Sequence, residues 1–176
     1  MKKILASQIV FFFAFFILFT VYRRWLNLSF IPFWVGGLIG FLLPFSDYLI
    51  YVYLLKPQEK ISLDIKSLIS QKKILKAYEN LLQYFSGKRG LLIHSALFQT
   101  LLLVFALWMV TSGTLLAMGL VLAFMLHLIL DQAIDLAEKR SIDGWYEGFP
   151  LDLDRQQKIL FLVFNFLVFS YFGFFF

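Results

Sequence analysis

A chain of 176 residues that is 61% hydrophobic, 20% aromatic and only 15% charged is not composed like a water-soluble domain, in which roughly a quarter of residues carry charge. The absence of cysteine excludes disulfides, thiolate metal ligands and a cysteine nucleophile. The formal charge of +5 does not point to nucleic acid, because the basic residues stand beside apolar runs, where they act as orientation signals and contacts to anionic lipid. The class expected is all-α: a polytopic membrane helix bundle of about five transmembrane helices plus one interfacial amphipathic helix, forming a single domain over 1–176. Membrane lipids are the expected partners.

The first apolar run follows Lys2 and Lys3 and predicts a span over about 4–22. No small-residue cleavage site follows it, and Arg23, Arg24 and Trp25 close it as an interfacial anchor. The second run, 28–55, exceeds the ~20 residues needed to cross a hydrocarbon core and should tilt or bend. Pro44 removes a backbone donor and favours a kink, while Gly36, Gly37 and Gly40 allow a neighbouring helix to come close. Asp47 lies just past the proline, still inside the apolar run.

Between Lys56 and Arg89 the chain turns basic, with eight Lys or Arg against three acidic residues. Ile74, Leu75, Tyr78, Leu81, Leu82 and Phe85 share one arc of a helical wheel opposite Lys72, Lys73, Lys76 and Glu79. That pattern predicts an amphipathic segment over 62–87 lying in the membrane interface. A third span is predicted over about 91–111, carrying His94, Ser95 and Gln99 near its start, and Thr111-Ser112-Gly113 forms a tight turn. The fourth span, about 114–135, carries His127 and Asp131 at its far end. A polar loop with Trp145, Tyr146 and Pro150 precedes a fifth span over about 159–176, in which Asn165 and Ser170 read as polar glue.

With the N-terminus cytoplasmic, the inner segments 1–3, 56–89 and 136–158 hold fourteen of the sixteen basic residues, the orientation expected in a cell inner membrane. This topology sets Asp47, His94, His127 and Asp131 at one depth, in the cytoplasmic third of the membrane. An Asp in a membrane helix costs roughly 2.5–3.5 kcal/mol on insertion scales, so partners are required. His127 and Asp131 stand four apart, on one face of a helix. Two imidazoles and two carboxylates form a ligand set for one divalent metal, with zinc first and manganese or iron as alternatives. An ion with an open position would lower the pKa of bound water and direct it at an ester or phosphodiester. Lys88 and Arg89 stand where a substrate phosphate would lie, or serve as ordinary inner-face charges, and Asp135 is a candidate to orient a histidine.

The same residues resemble a family. Leu43-Pro44-Phe45-Ser46-Asp47, then Lys88-Arg89-Gly90 with His94-Ser95, then Gly119 with His127 and Asp131 are similar to the motifs LPDxDH, HRGxTHS and HxxxD of the YdjM-like (DUF457) membrane-bound metal-dependent hydrolases. The resemblance covers about 36–135 and implies a divalent-metal site at the membrane surface. Phe45, Tyr48 and Lys88 replace family motif residues, and three residues rather than two separate Gly90 from His94. What remains suffices for one metal. The function expected is hydrolysis of an ester or phosphodiester of a lipid-like substrate at the cytoplasmic face. The alternatives are a non-enzymatic scaffold or ion- or proton-binding protein built on the same polar cluster, and a lipid-binding module built on the basic segment.

Overall fold

The computed structural model describes residues 2–85, 90–138 and 142–175, with the side chains of 2–5 and Leu82 outside that description. Lys88 and Arg89 therefore lie outside the described residues. The described chain is all-helical: α1 (Lys2–Tyr22), α2 (Leu28–Leu55), α3 (Lys60–Ser70), α4 (Ile74–Tyr84), α5 (Ala96–Thr111), α6 (Leu115–Ala137) and α7 (Arg155–Phe175). A short 3-10 turn, Asp143–Tyr146, lies between the last two. Among the described residues α2, α6 and α7 are long and apolar enough to cross a membrane, whereas Ala6–Tyr22 and Ala96–Thr111 are shorter apolar helices. The chain is a membrane protein on this architecture.

Helix α6 is the axis. Its side chains are buried on all sides, because α1, α2, α5 and α7 surround it. Its closest partner is α2, and glycine sets the distance. A β-carbon on Gly36 would lie 2.0 Å from the Leu116 carbonyl oxygen, one on Gly40 1.9 Å from that of Leu120, and one on Gly119 2.0 Å from that of Phe33. The two backbones are in contact through these hydrogens-only positions, as small-residue membrane interfaces require. Helix α1 packs through Phe12, Phe16 and Phe19, with Phe16 stacked on Phe33 at 4.7 Å. Its other face exposes Val10, Phe11 and Leu18, as expected of a surface solvated by acyl chains.

Pro44 breaks the regular helix of α2 as expected. Leu43–Phe45 tightens to a 3-10 turn, Ser46–Ile50 resumes α-helix, and Tyr51–Leu55 loosens to a π-helical turn. Three other expectations are corrected. The segment over 62–87 is two helices rather than one, because Lys72 adopts φ 58° and the N–H groups of Lys72 and Lys73 cap Ile69 and Leu68 at 2.9 Å each, a Schellman stop. The apolar stripe Ala77, Leu81 and Phe85 is buried beside Tyr48, Tyr51 and Val52 of α2 rather than in lipid, while Ile74 and Leu75 stay exposed. The third helix begins at Ala96, not 91, with Ser95 Oγ accepting from Phe98 N at 3.2 Å as its N-cap. The loop before α7 turns inward, burying Trp145 completely.

Candidate metal centre

The site is built on the stretch 91–95 that failed to become helix. A buried non-helical backbone must find partners for its N–H groups inside the protein. Asp47 supplies them. Its Oδ1 accepts from Leu92 N at 3.0 Å, and its Oδ2 accepts from Ile93 N at 2.8 Å and His94 N at 2.9 Å. The same Oδ2 lies 2.9 Å from His94 Nδ1. The carboxylate is fully buried and held by four nitrogens, so the Pro44 kink serves to aim one side chain at a neighbouring loop.

This contact decides which histidine nitrogen is available. With Nδ1 engaged by Asp47, Nε2 is the ring nitrogen turned toward α6. That atom is buried, has no hydrogen-bond partner, and lies 3.3 Å from Asp131 Oδ2. His127 approaches from α6, its Nε2 3.9 Å from the same Asp131 oxygen. One ligand atom from each of His94, His127 and Asp131 lies within 4.8 Å of the others. Donors on a tetrahedral zinc stand ~3.3–3.6 Å apart for bonds of ~2.0–2.2 Å, so the two nearer separations fit with small adjustment. Two imidazoles and one carboxylate are also the donor set of three-ligand zinc sites that keep a position open. The residues present fit a divalent ion.

Asp47 stands outside this three-residue cluster, one bond behind His94. It has the place of a carboxylate that fixes the tautomer and direction of a ligating histidine. Asp135 accepts from Trp145 Nε1 at 3.0 Å, and the Trp145 ring lies 5.6 Å from that of His94. The carboxylate thus holds the wall against which the histidine rests. Tyr48 at 5.7 Å from His94, and Phe41 and Phe45 at 5.1 and 4.9 Å from His127, complete an aromatic enclosure. Tyr146, next to Trp145, accepts from Gln132 Nε2 at 3.1 Å and donates to the Lys158 carbonyl at 2.9 Å. Burial pushes its hydroxyl up to about 12.

Two site residues were not anticipated from sequence. Gln8 of α1 donates through Nε2 to Asp131 Oδ1. It stands one turn before Phe12 on the buried face of an apolar helix, and an amide in that position is a readable signal. Trp145 was assigned to a polar loop, although the aromatic pair Trp145-Tyr146 within that loop marked a segment with something to bury. Asn165 of α7 donates to its own helix at Phe161 O, 3.0 Å, and weakly to Gln99 Oε1 at 3.4 Å, as glue between helices does.

The fold and this cluster define a class: an all-helical membrane protein with a buried His/Asp group able to bind a metal. Comparison with protein-family models, with curated proteins and with solved structures finds no match.

Proposed function

We propose that the chain is a five-span inner-membrane protein, its N-terminus cytoplasmic, that binds one divalent metal and hydrolyses an ester or phosphodiester of a lipid-like substrate near the cytoplasmic face. The observation that supports the metal reading is the gathering of one ligand atom from each of the buried residues His94, His127 and Asp131 within 4.8 Å of one another. His94, His127 and Asp131 would hold the ion, zinc by donor type, with manganese or iron as alternatives. When bound, the ion would supply Lewis acidity toward a carbonyl or phosphoryl oxygen.

The chain's own residues do the rest. Asp47 engages His94 at Nδ1 and leaves Nε2 to face the ion. Trp145 and Asp135 brace the ring, and Phe41, Phe45 and Tyr48 wall the site with aromatic rings. Lys88 and Arg89, a few residues before His94, would take a substrate phosphate, Arg through its fork and Lys as a point charge. The resemblance to the YdjM-like hydrolases supports the same reading over about 36–135. Since the ligands are at most 5% exposed, substrate reaches them only after part of the aromatic wall moves.

One observation favours a second reading. His94 lies between two carboxylates, so a proton could replace the metal and make an Asp47–His94–Asp131 ion triad that pins three segments of the bundle. The experiment separates the two. Protein purified in mild detergent is assayed for bound metal, and its melting temperature is measured before and after chelation. About one ion per chain, with a chelator-dependent drop in melting temperature and loss of the metal in His127→Ala, is the expected result. A metal-free protein whose His127→Ala variant keeps its stability and any hydrolytic activity would leave the ion triad.

A further inference from the structure

A cavity of about 570 Å³ opens where α2 ends, and its lining includes Tyr51, Leu55, Lys56, Tyr84, Phe85 and Glu147. That volume is within the roughly 300–1,000 Å³ usual for small-ligand sites. Three of the lining residues are aromatic and close-set. The Phe85 ring centroid lies 4.6 Å from that of Tyr51 and 4.9 Å from that of Tyr84, with both rings nearly perpendicular to it. Glu59 fixes the two tyrosines, its Oε2 accepting from Tyr51 Oη at 2.7 Å and from Tyr84 Oη at 3.3 Å. Two charged groups remain for a ligand. Lys56 Nζ stands 3.6 Å from Glu59 Oε1, an exposed pair that holds weakly. Glu147 Oε2 accepts from Gly90 N at 3.2 Å, and among the described residues its carboxylate meets no cation.

Rings beside an uncompensated carboxylate attract an ammonium group, and a lysine offers a point charge to a phosphate. The remaining wall is apolar. Leu55 is 43% exposed and follows Leu54 at 73%, so the cavity is continuous with the lipid-facing surface at the end of α2. We propose that this cavity binds the headgroup of an amine-bearing phospholipid, its ammonium held by Glu147 and the rings of Tyr51 and Tyr84, its phosphate by Lys56. Two rings separate the cavity from the cluster: Phe85 lies 5.7 Å from Tyr48, and Tyr48 5.7 Å from His94. In naming the headgroup of the lipid-like substrate the inference rests on the hydrolase reading above, whereas the binding itself needs no metal.

The test uses the full-length chain, stripped of lipid in detergent and treated with a chelator, so that lipid binding is read apart from any metal. Native mass spectrometry follows the uptake of dimyristoyl phosphatidylethanolamine, of the phosphatidylglycerol with the same chains, and of water-soluble glycerophosphoethanolamine. Wild type is expected to retain one phosphatidylethanolamine per chain in preference to the other two. Glu147→Gln and Tyr84→Leu should each weaken that binding by ~3–10-fold and leave phosphatidylglycerol unaffected, whereas Lys56→Gln should weaken both lipids. All three positions are exposed, and circular dichroism confirms that the variants are helical. Equal retention of the two lipids by wild type, or unchanged phosphatidylethanolamine binding in both Glu147→Gln and Tyr84→Leu, would overturn the headgroup site. Glycerophosphoethanolamine bound as tightly as the lipid would overturn the choice of a lipid. Selective binding without hydrolysis by the metal-loaded chain would overturn the hydrolase reading and leave the headgroup site standing.

Discussion

Asp47 Oδ2 meets two backbone N–H groups and one imidazole nitrogen at 2.8–2.9 Å. Asp47→Asn preserves the shape but sets an NH2 against groups that already point hydrogens inward. The loss of a buried charged acceptor should destabilise the folded chain by about 3–5 kcal/mol. Denaturant titration in detergent reads this directly, and a wild-type midpoint for the variant would contradict the assignment. Tyr146 supplies a pH test. Its hydroxyl is held neutral to about 12 by burial, above the ordinary value of ~10. The folded state therefore keeps a proton that the unfolded chain releases, so its contribution is complete below pH ~10 and is lost as pH rises from there toward 12. Melting curves across that range should fall more steeply for wild type than for Tyr146→Phe. At this scale the sequence was informative about ionisable groups, because His94, His127, Asp131 and Asp47 stand out in apolar runs. It was less informative about roles: Asp47 serves the loop at 92–94, and Leu91, Leu92 and Ile93 read as helix because their side chains are apolar and the demand came from backbone.

Among the elements, the α2–α6 contact was legible and the α3–α4 break was not. Gly36 and Gly40 stand four apart and mark a face for close approach, and Gly119 answers them from α6. Because the opposing atoms are backbone oxygens, neither helix can yield by turning a side chain. Gly40→Ala and Gly119→Ala should each destabilise by about 1–3 kcal/mol or more, as overpacking does. Gly173→Ala is the control: its nearest neighbour is the Phe15 ring at 3.3 Å, which can shift by tenths of an ångström. Equal melting temperatures for Gly119→Ala and Gly173→Ala would refute the backbone-contact argument. The break at Lys72 escaped detection because it uses neither glycine nor proline. Arg24 ends α1 in the same way, with φ 57° and with Trp25 N bonded to Thr20 O at 2.9 Å. A basic residue in the left-handed position gains from the negative end of the helix dipole what it loses in backbone strain. Composition hides such stops, since lysine and arginine belong equally to helix interiors.

The whole molecule has two unlike ends. At one, Tyr22 meets Phe174 at 5.4 Å and Trp25 stacks on Phe30 at 4.6 Å, an aromatic girdle with Arg23 and Arg24 beside it. At the other stand the buried cluster, α3 and α4, and the turn at Trp145. The convergence of Gln8, Asp47, His94 and Asp131 requires these residues to share a depth, which is what an inside N-terminus and five crossings produce. On the proposed five-span topology, the distribution of fourteen basic residues against two predicts the cluster end to be cytoplasmic. A chain without native cysteine is suited to a labelling test. Single cysteines replace Asn27 and Ser112 on the aromatic side, and Gln71 and Asp152 on the cluster side, all exposed positions. A membrane-impermeant maleimide applied to intact spheroplasts should label Asn27→Cys and Ser112→Cys at once, and Gln71→Cys and Asp152→Cys only after the membrane is opened. The reverse pattern would invert the protein and turn its centre outward. Labelling of Ser112→Cys from the side opposite to Asn27→Cys would break the five-span count, because it would mean that α5, only 16 residues long, does not cross. Its length is the reason the test is sharp. Sixteen helical residues rise ~24 Å, short of a ~30 Å hydrocarbon core, so on the proposed five-span topology the non-helical stretch held by Asp47 would supply the remainder. On that topology the crossing and the candidate metal centre depend on one carboxylate, so Asp47→Asn should disturb the labelling of Ser112→Cys as well as the stability of the fold.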